Sequence, residues 1–99
     1  MTPTRAFTLE KALDLGSRIG VDWTEVNRDE FRRGLAVELE HGAHDPQTNV
    51  TNDDPVITAK IALAHLKEIP DYYTRLAKME ADAETERSLR EKAPGQPRR

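Results

Sequence analysis

The sequence predicts an all-α protein, a small bundle of four short helices with a long loop between helices 2 and 3. Apolar residues recur at spacings of three and four, which is typical of helices that bury one face. Capping residues, glycines and prolines mark the helix ends. Since 99 residues suit one core, we expect a single helical domain over residues 1–92 and a disordered, Pro- and Arg-containing tail over residues 93–99.

The first helix is bounded by a cap and a glycine. Thr8 is placed to cap a helix that runs to about Ile19, and Gly20 is placed to stop it. Trp23 supplies apolar bulk in the short connection that follows, so we expect it to anchor this connection to the core.

The second helix has the clearest boundaries in the chain. Asn27 can cap its start, with Glu30 at the spacing of a capping box. Gly42 is placed as a left-handed terminator. Residues 43–54 then lack helical periodicity and are rich in Asp, Asn, Thr and Pro, which predicts the long loop.

Prolines delimit the third and fourth helices. Asp54 followed by Pro55 predicts the start of the third helix, and Pro70 predicts its end and the start of the fourth. The fourth helix is expected to bury one stripe, formed by Tyr72, Leu76, Met79 and Ala83. Residues 84–92 are mostly charged, so the last turns are expected to protrude or fray.

Four polar residues on helices 2 and 3 form the candidate site: Glu38, His41, His65 and Glu68. At ~100° per residue, Glu38 points with Phe31 toward the core and His41 lies at the edge of that face. By the same count, His65 points away from the solvent side of helix 3 and Glu68 flanks the buried side. A carboxylate that faces a core must be hydrogen-bonded, paired or bound to a metal.

Two interpretations of these residues stay open, with acid–base catalysis as a third. Two imidazoles and two carboxylates suit a mononuclear iron, manganese or zinc site. Alternatively they form a buried polar network that needs no cofactor. Glu38 would then accept hydrogen bonds from Tyr72, Tyr73, His65 or an arginine, and Glu68 would accept the first amides of helix 4.

Helix register bears on this choice. In a simple hairpin that starts at Gly42 and Pro55, His65 lies about 15 Å below the top, opposite Phe31 rather than His41. A third helix that begins above the second would remove this offset.

Composition excludes several classes of function. A net charge of -3 with interleaved acids gives no attraction to nucleic acid or to anionic membranes. The absence of cysteine excludes disulfides, thiolate catalysis and Cys-ligated metals. No segment matches a leader or a membrane span, so a cytoplasmic location is expected.

Three strings give the chain a resemblance to a known family. They are residues 37–42 (VELEHG), 48–54 (TNVTNDD) and 60–73 (KIALAHLKEIPDYY). In these the chain resembles an uncharacterised family of small bacterial and phage helical proteins, a domain of unknown function. The resemblance implies no activity, cofactor or partner, and it transfers no functional residue.

The sequence therefore favours a non-enzymatic module that binds an unknown protein partner or forms a homo-oligomer. A nearly complete set of helix signals without a catalytic motif supports this interpretation. The alternatives are a metal-binding protein that uses the Glu/His cluster, and a phage-associated accessory or virion component, which rests on the resemblance alone.

Overall fold

The structure, a computed structural model, describes residues 7–92. Its four helices are α1 (Leu9–Arg18), α2 (Arg28–Glu38), α3 (Pro55–Glu68) and α4 (Tyr72–Lys92), and these residues contain no strand. The predicted all-α fold is confirmed, whereas the tail predicted over residues 93–99 lies outside the described part of the chain. None of the helices in residues 7–92 combines the length and apolarity that crossing a membrane requires.

Three side chains cap helices as the sequence predicts. Thr8 Oγ1 accepts a hydrogen bond from a first-turn amide of α1 at 3.1 Å, and Asn27 Oδ1 does the same for α2 at 2.9 Å. Asp54 Oδ1 accepts from two amides at the start of α3, at 2.8 and 3.0 Å. These bonds satisfy amides that lack a partner within the helix, so local sequence sets the helix starts.

The two glycines predicted to end helices behave differently. Gly20 follows α1 with a φ of +83°, as predicted. Gly42 has a φ of -97°, so its predicted left-handed conformation is wrong, and α2 instead tightens into a 3-10 turn at Leu39–His41. A side chain at Gly42 would collide with the Asp53 carboxylate, which accepts a hydrogen bond from the amide of Ala43 at 3.0 Å. Close approach therefore explains this glycine.

The long loop folds back against the end of α2. The amides of Val50 and Thr51 donate to the carbonyl of His41 at 2.6 and 3.3 Å, and the Thr51 side chain is buried. Asn52 and Asp53 then reverse the chain with φ values of 53° and 63°, a conformation that Asn and Asp tolerate better than most residues. The start of α3 is thereby brought back to the end of α2.

The core lies between α1, α2, α3 and the first turns of α4. Phe31 and Leu35 of α2 are fully buried at its centre. The Trp23 ring packs edge-on against Phe31 with ring centroids 5.5 Å apart, so Trp23 anchors the connection between α1 and α2 as predicted.

Helix α4 leaves the bundle after its first turns. It begins at Tyr72 rather than at Pro70, which lies in the corner between α3 and α4. The stripe predicted for α4 is correct for Tyr72 and Leu76, which pack against the core, and wrong for Met79 and Ala83, which are exposed. The 21 residues of α4 span about 31 Å, and the bundle reaches only their beginning. We call residues 77–91 the projecting segment.

Ion pairs within α4 support the projecting segment as a helix. Lys78 contacts Asp82 at 2.9 Å, and Arg87 contacts Glu84. Each pair joins residues three or four positions apart, a spacing that places the two side chains on one helix face. The molecule measures 55 × 30 × 24 Å along its principal axes.

Candidate functional site

Two buried carboxylates on α2, those of Glu30 and Glu38, meet the first turn of α4. Only 8% and 4% of their respective residue surfaces are exposed. Tyr73 binds both, because its backbone N–H donates to Glu30 Oε1 at 3.0 Å and its hydroxyl donates to Glu38 Oε2 at 2.7 Å. One residue of α4 is thus fixed at two points about two turns apart on α2. We call Glu30, Glu38 and Tyr73 the α2–α4 junction.

Gly34 makes room for the Tyr73 ring between the two carboxylates. Glu30, Gly34 and Glu38 follow one another at intervals of four residues, so they lie on the same side of α2. A Cβ atom at Gly34 would lie 2.5 Å from Cε2 of Tyr73. The ring therefore lies directly against the α2 backbone, a position that any larger residue at Gly34 would obstruct.

Glu30 acts as a cap for a helix other than its own. Besides the Tyr73 amide, its carboxylate accepts a hydrogen bond from the Thr74 hydroxyl. A carboxylate at a helix N-terminus satisfies free amides and interacts favourably with the helix dipole. The capping box predicted for Asn27 is therefore half formed, since Asn27 caps α2 while Glu30 turns to α4. Glu68 was predicted to accept hydrogen bonds from the first amides of α4, but in the structure Glu30 accepts the bond from the Tyr73 amide.

Two imidazoles flank the carboxylate of Glu38. His65 Nε2 lies 3.4 Å from Glu38 Oε2, and His41 Nε2 lies 3.7 Å from Glu38 Oε1. His65 is half-buried, whereas His41 is exposed. The structure thus brings together three of the four residues that the sequence singled out. It also confirms that Glu38 turns inward.

Aromatic packing orients the His65 ring. His65 stacks on Tyr72 with ring centroids 4.3 Å apart and an angle of 3° between the planes. Tyr73 meets the same imidazole edge-on at 6.1 Å. Stacked and edge-on contacts of this kind restrict ring orientation as well as burying surface. They hold His65 beside Glu38 from the α4 side.

The contact between His65 and Glu38 forms despite the offset in helix register expected from the sequence. That offset was calculated from the rise of the helix backbone alone, without the direction of the side chains. Helical side chains lean toward the N-terminus of their own helix. Glu38 and His65 therefore lean toward each other when α2 and α3 run in opposite directions, and two long side chains close the remaining distance.

Glu68 lies apart from this cluster. It is exposed, and within residues 7–92 no hydrogen bond or ion pair joins its side chain to Glu38 or to either histidine. In the same described part of the chain, no three His, Asp or Glu side chains converge as a metal site would require. Metal binding by Glu38, His41, His65 and Glu68 stays a prediction.

Sequence reasoning missed the part played by Glu30, Gly34 and Thr74. A signal was present, because Glu30 and Gly34 precede Glu38 on the same side of α2. The two residues of α4 that Glu30 binds, however, lie more than 40 residues away from it in the chain. No local rule connects such distant positions.

The junction keeps the Tyr73 hydroxyl protonated. Burial raises the pKa of Tyr73 well above its usual value, and the hydrogen bond to Glu38 raises it further. Ionisation at Tyr73 would place a second negative charge beside a buried carboxylate. The hydroxyl therefore serves as a permanent hydrogen-bond donor rather than as an acid.

We predict that Gly34→Ala lowers the free energy of unfolding by about 1–2 kcal/mol, measured by urea denaturation. Overpacking against Tyr73 costs about 1–3 kcal/mol, and the better helix propensity of alanine returns less than about 1 kcal/mol. In a Tyr73→Leu background, the same change should be neutral or stabilising by up to about 1 kcal/mol, because the ring is gone and only the gain in helix propensity remains. Equal losses in both backgrounds would contradict the contact.

A second prediction concerns alkaline pH. Because the folded-state pKa of Tyr73 exceeds the unfolded value of about 10, its contribution is complete below pH 10 and declines above it. The stability difference between wild type and Tyr73→Phe should therefore shrink by up to about 1.4 kcal/mol per pH unit above pH 10. Lys78, whose pKa is raised by its hydrogen bond to Asp82, is common to both proteins and cancels. A difference that stays constant up to about pH 11.5 would refute the assignment.

Comparisons with known proteins place the whole junction within one family. No curated protein and no solved structure matches the chain. The profile of the family described as "Protein of unknown function (DUF5661)" matches residues 12–82, which include both carboxylates, Gly34 and Tyr73. The match covers most of the 99 residues and confirms the resemblance to a domain of unknown function. The chain belongs to the DUF5661 family.

Proposed function

We propose that this protein is a non-enzymatic protein-interaction module. In this proposal the α2–α4 junction fixes the direction of α4, and the projecting segment contacts a protein partner or a second copy of the chain. The two parts have different tasks, because the junction is internal and the projecting segment is open to solvent.

The observation that carries the proposal is an ordered helix with almost no packing of its own. Residues 77–91 are exposed except for Ser88, which is intermediate. Met79 and Leu89 are 59% and 65% exposed. An isolated helix of this length is marginal in water, and a large exposed apolar side chain gains from being covered. A partner that covers this segment would add the packing that stabilises its helix and would bury its exposed apolar side chains.

The buried acids support a structural role rather than a catalytic one. The carboxylate of Glu30 accepts bonds from Tyr73 and Thr74, and that of Glu38 from Tyr73. A catalytic acid or base must reach the proton of a substrate. Buried carboxylates that are already bonded to the protein's own groups do not offer that access.

Charge favours a protein as the partner. The net charge is -3, and α4 carries five acids and five bases. Nucleic-acid binding draws on clustered Lys and Arg that neutralise phosphates. A mixed-charge helix is better suited to ion pairs with another polypeptide.

We predict that a photo-crosslinking amino acid at Met79 captures protein adducts in cells, whereas the same group at Val50 does not. Val50 is a matched control because it is also a large apolar residue and is 71% exposed, but it lies in the loop. Adducts would be measured by gel shift and mass spectrometry. Equal labelling at both positions, or no adduct at Met79, would contradict the proposal.

Metal binding is a second candidate, favoured by the approach of His41 and His65 to the two oxygens of Glu38. A metal bound only by the folded state raises the melting temperature. Titration with Zn²⁺, Mn²⁺ or Fe²⁺ should then raise the melting temperature of wild type and leave His65→Ala unchanged. Melting that is independent of all three metals would remove this candidate.

A further inference from the structure

One face of α4 carries a graded pattern of charge. A shallow surface groove is lined by Arg75, Lys78, Met79, Asp82, Ala83 and Glu86. At ~100° per residue these positions fall within about 140° of the helix circumference, so they form one face. We call it the α4 groove face.

Along this face the two bases come first and Met79 follows, whereas the acids Asp82 and Glu86 lie farther out, on either side of Ala83. Arg75 lies just before the projecting segment and Lys78 lies at its start, whereas Glu86 lies farther out along it. The outer acid has no ion pair with another residue among those the structure describes. A face of this kind is complementary to itself when it is reversed.

We propose that the α4 groove face pairs with the same face of a second copy, with the two helices antiparallel. This inference rests on the proposed function and names the partner. A two-fold axis between residues 80 and 81 makes the contact isologous, so every contact occurs twice. This register places the basic end of each face opposite the acidic end of the other.

In this register, opposite charges and apolar groups face one another. Arg75 lies opposite Glu86 of the second copy, about three helical turns along α4. Lys78 lies beside Asp82 of the second copy as well as its own Asp82, which it already contacts at 2.9 Å. Along the opposite edge of the paired faces, Met79 packs against Ala83 of the second copy.

The bundle leaves this face accessible. The core-packing residues of α4 are Tyr72, Tyr73 and Leu76. At ~100° per residue their mean direction is roughly a quarter to a third of a turn away from the centre of the groove face. In the antiparallel pair the two bundles lie at opposite ends of the joined helices, so they do not compete for space.

The reversal of charge gives a direct test on the purified full chain. Arg75→Glu alone would bring two acids together at each end of the paired face, and Glu86→Arg alone would bring two bases together there, so each variant repels its own copies. Mixed together, these two variants can form a dimer in which an acid of one variant lies opposite a base of the other at both ends, so the mixture should associate more strongly than either variant alone. The double variant Arg75→Glu/Glu86→Arg likewise restores an acid opposite a base at both ends.

Sedimentation equilibrium at low salt, over protein concentrations from about 10 µM to 1 mM, measures the association of each sample. We expect wild type to dimerise and each single variant to associate at least about tenfold more weakly, which corresponds to about 1.4 kcal/mol. The double variant should recover wild-type association within about threefold.

Matched controls are Glu84→Arg and Arg87→Glu, which make the same charge changes on α4 outside the groove face and should leave association unchanged. Circular dichroism confirms folding of every variant. Recovery in the double variant is itself evidence of folding, because a chain damaged by either substitution would not regain association when the second is added.

Three results would overturn the inference: a wild type that is monomeric at the highest concentration, single variants that associate like wild type, or a double variant that fails to recover. A monomeric wild type whose Met79 crosslinks to a different protein would overturn the second copy as partner and leave the proposed function standing. Absence of any Met79 adduct would count against the proposed function itself.

Discussion

The bridge that Tyr73 forms between two buried carboxylates is the constraint on which the arrangement of α4 depends. Burying Glu30 and Glu38 without hydrogen bonds would be costly, so each requires a donor at a fixed position. Tyr73 supplies one donor from its backbone and another from its side chain. Since these donors lie at the two ends of one residue, both bonds form only when α4 starts in one orientation relative to α2.

Position and helicity in α4 have separate physical origins. The apolar contacts that α4 makes with the bundle come from Tyr72, Tyr73 and Leu76. Beyond them, ion pairs between neighbouring turns support the helix but do not determine where it points. Direction is set at the junction, and buried polar contacts are well suited to this because their geometry is more demanding than that of apolar packing.

Local features of the chain were predictable from sequence, and distant contacts were not. Thr8, Asn27 and Asp54 cap helices because each acts on amides within its own first turn. The inward orientation of Glu38 followed from helical periodicity. In contrast, the bond from Glu30 to the start of α4 and the exposure of Met79 depend on how far the bundle extends beside α4. Periodicity identifies a stripe on a helix but not whether another helix covers it.

The family match includes the whole junction but only the beginning of the projecting segment. Residues 12–82 contain the complete junction, including Gly34, whose missing side chain admits the Tyr73 ring. The match ends within the projecting segment, before Glu86. The charge pattern that makes the α4 groove face self-complementary therefore requires a residue outside the matched region. In this chain the residues that hold α4 at the junction all lie inside the matched region, whereas the proposed pairing through α4 also uses Glu86, which lies beyond it.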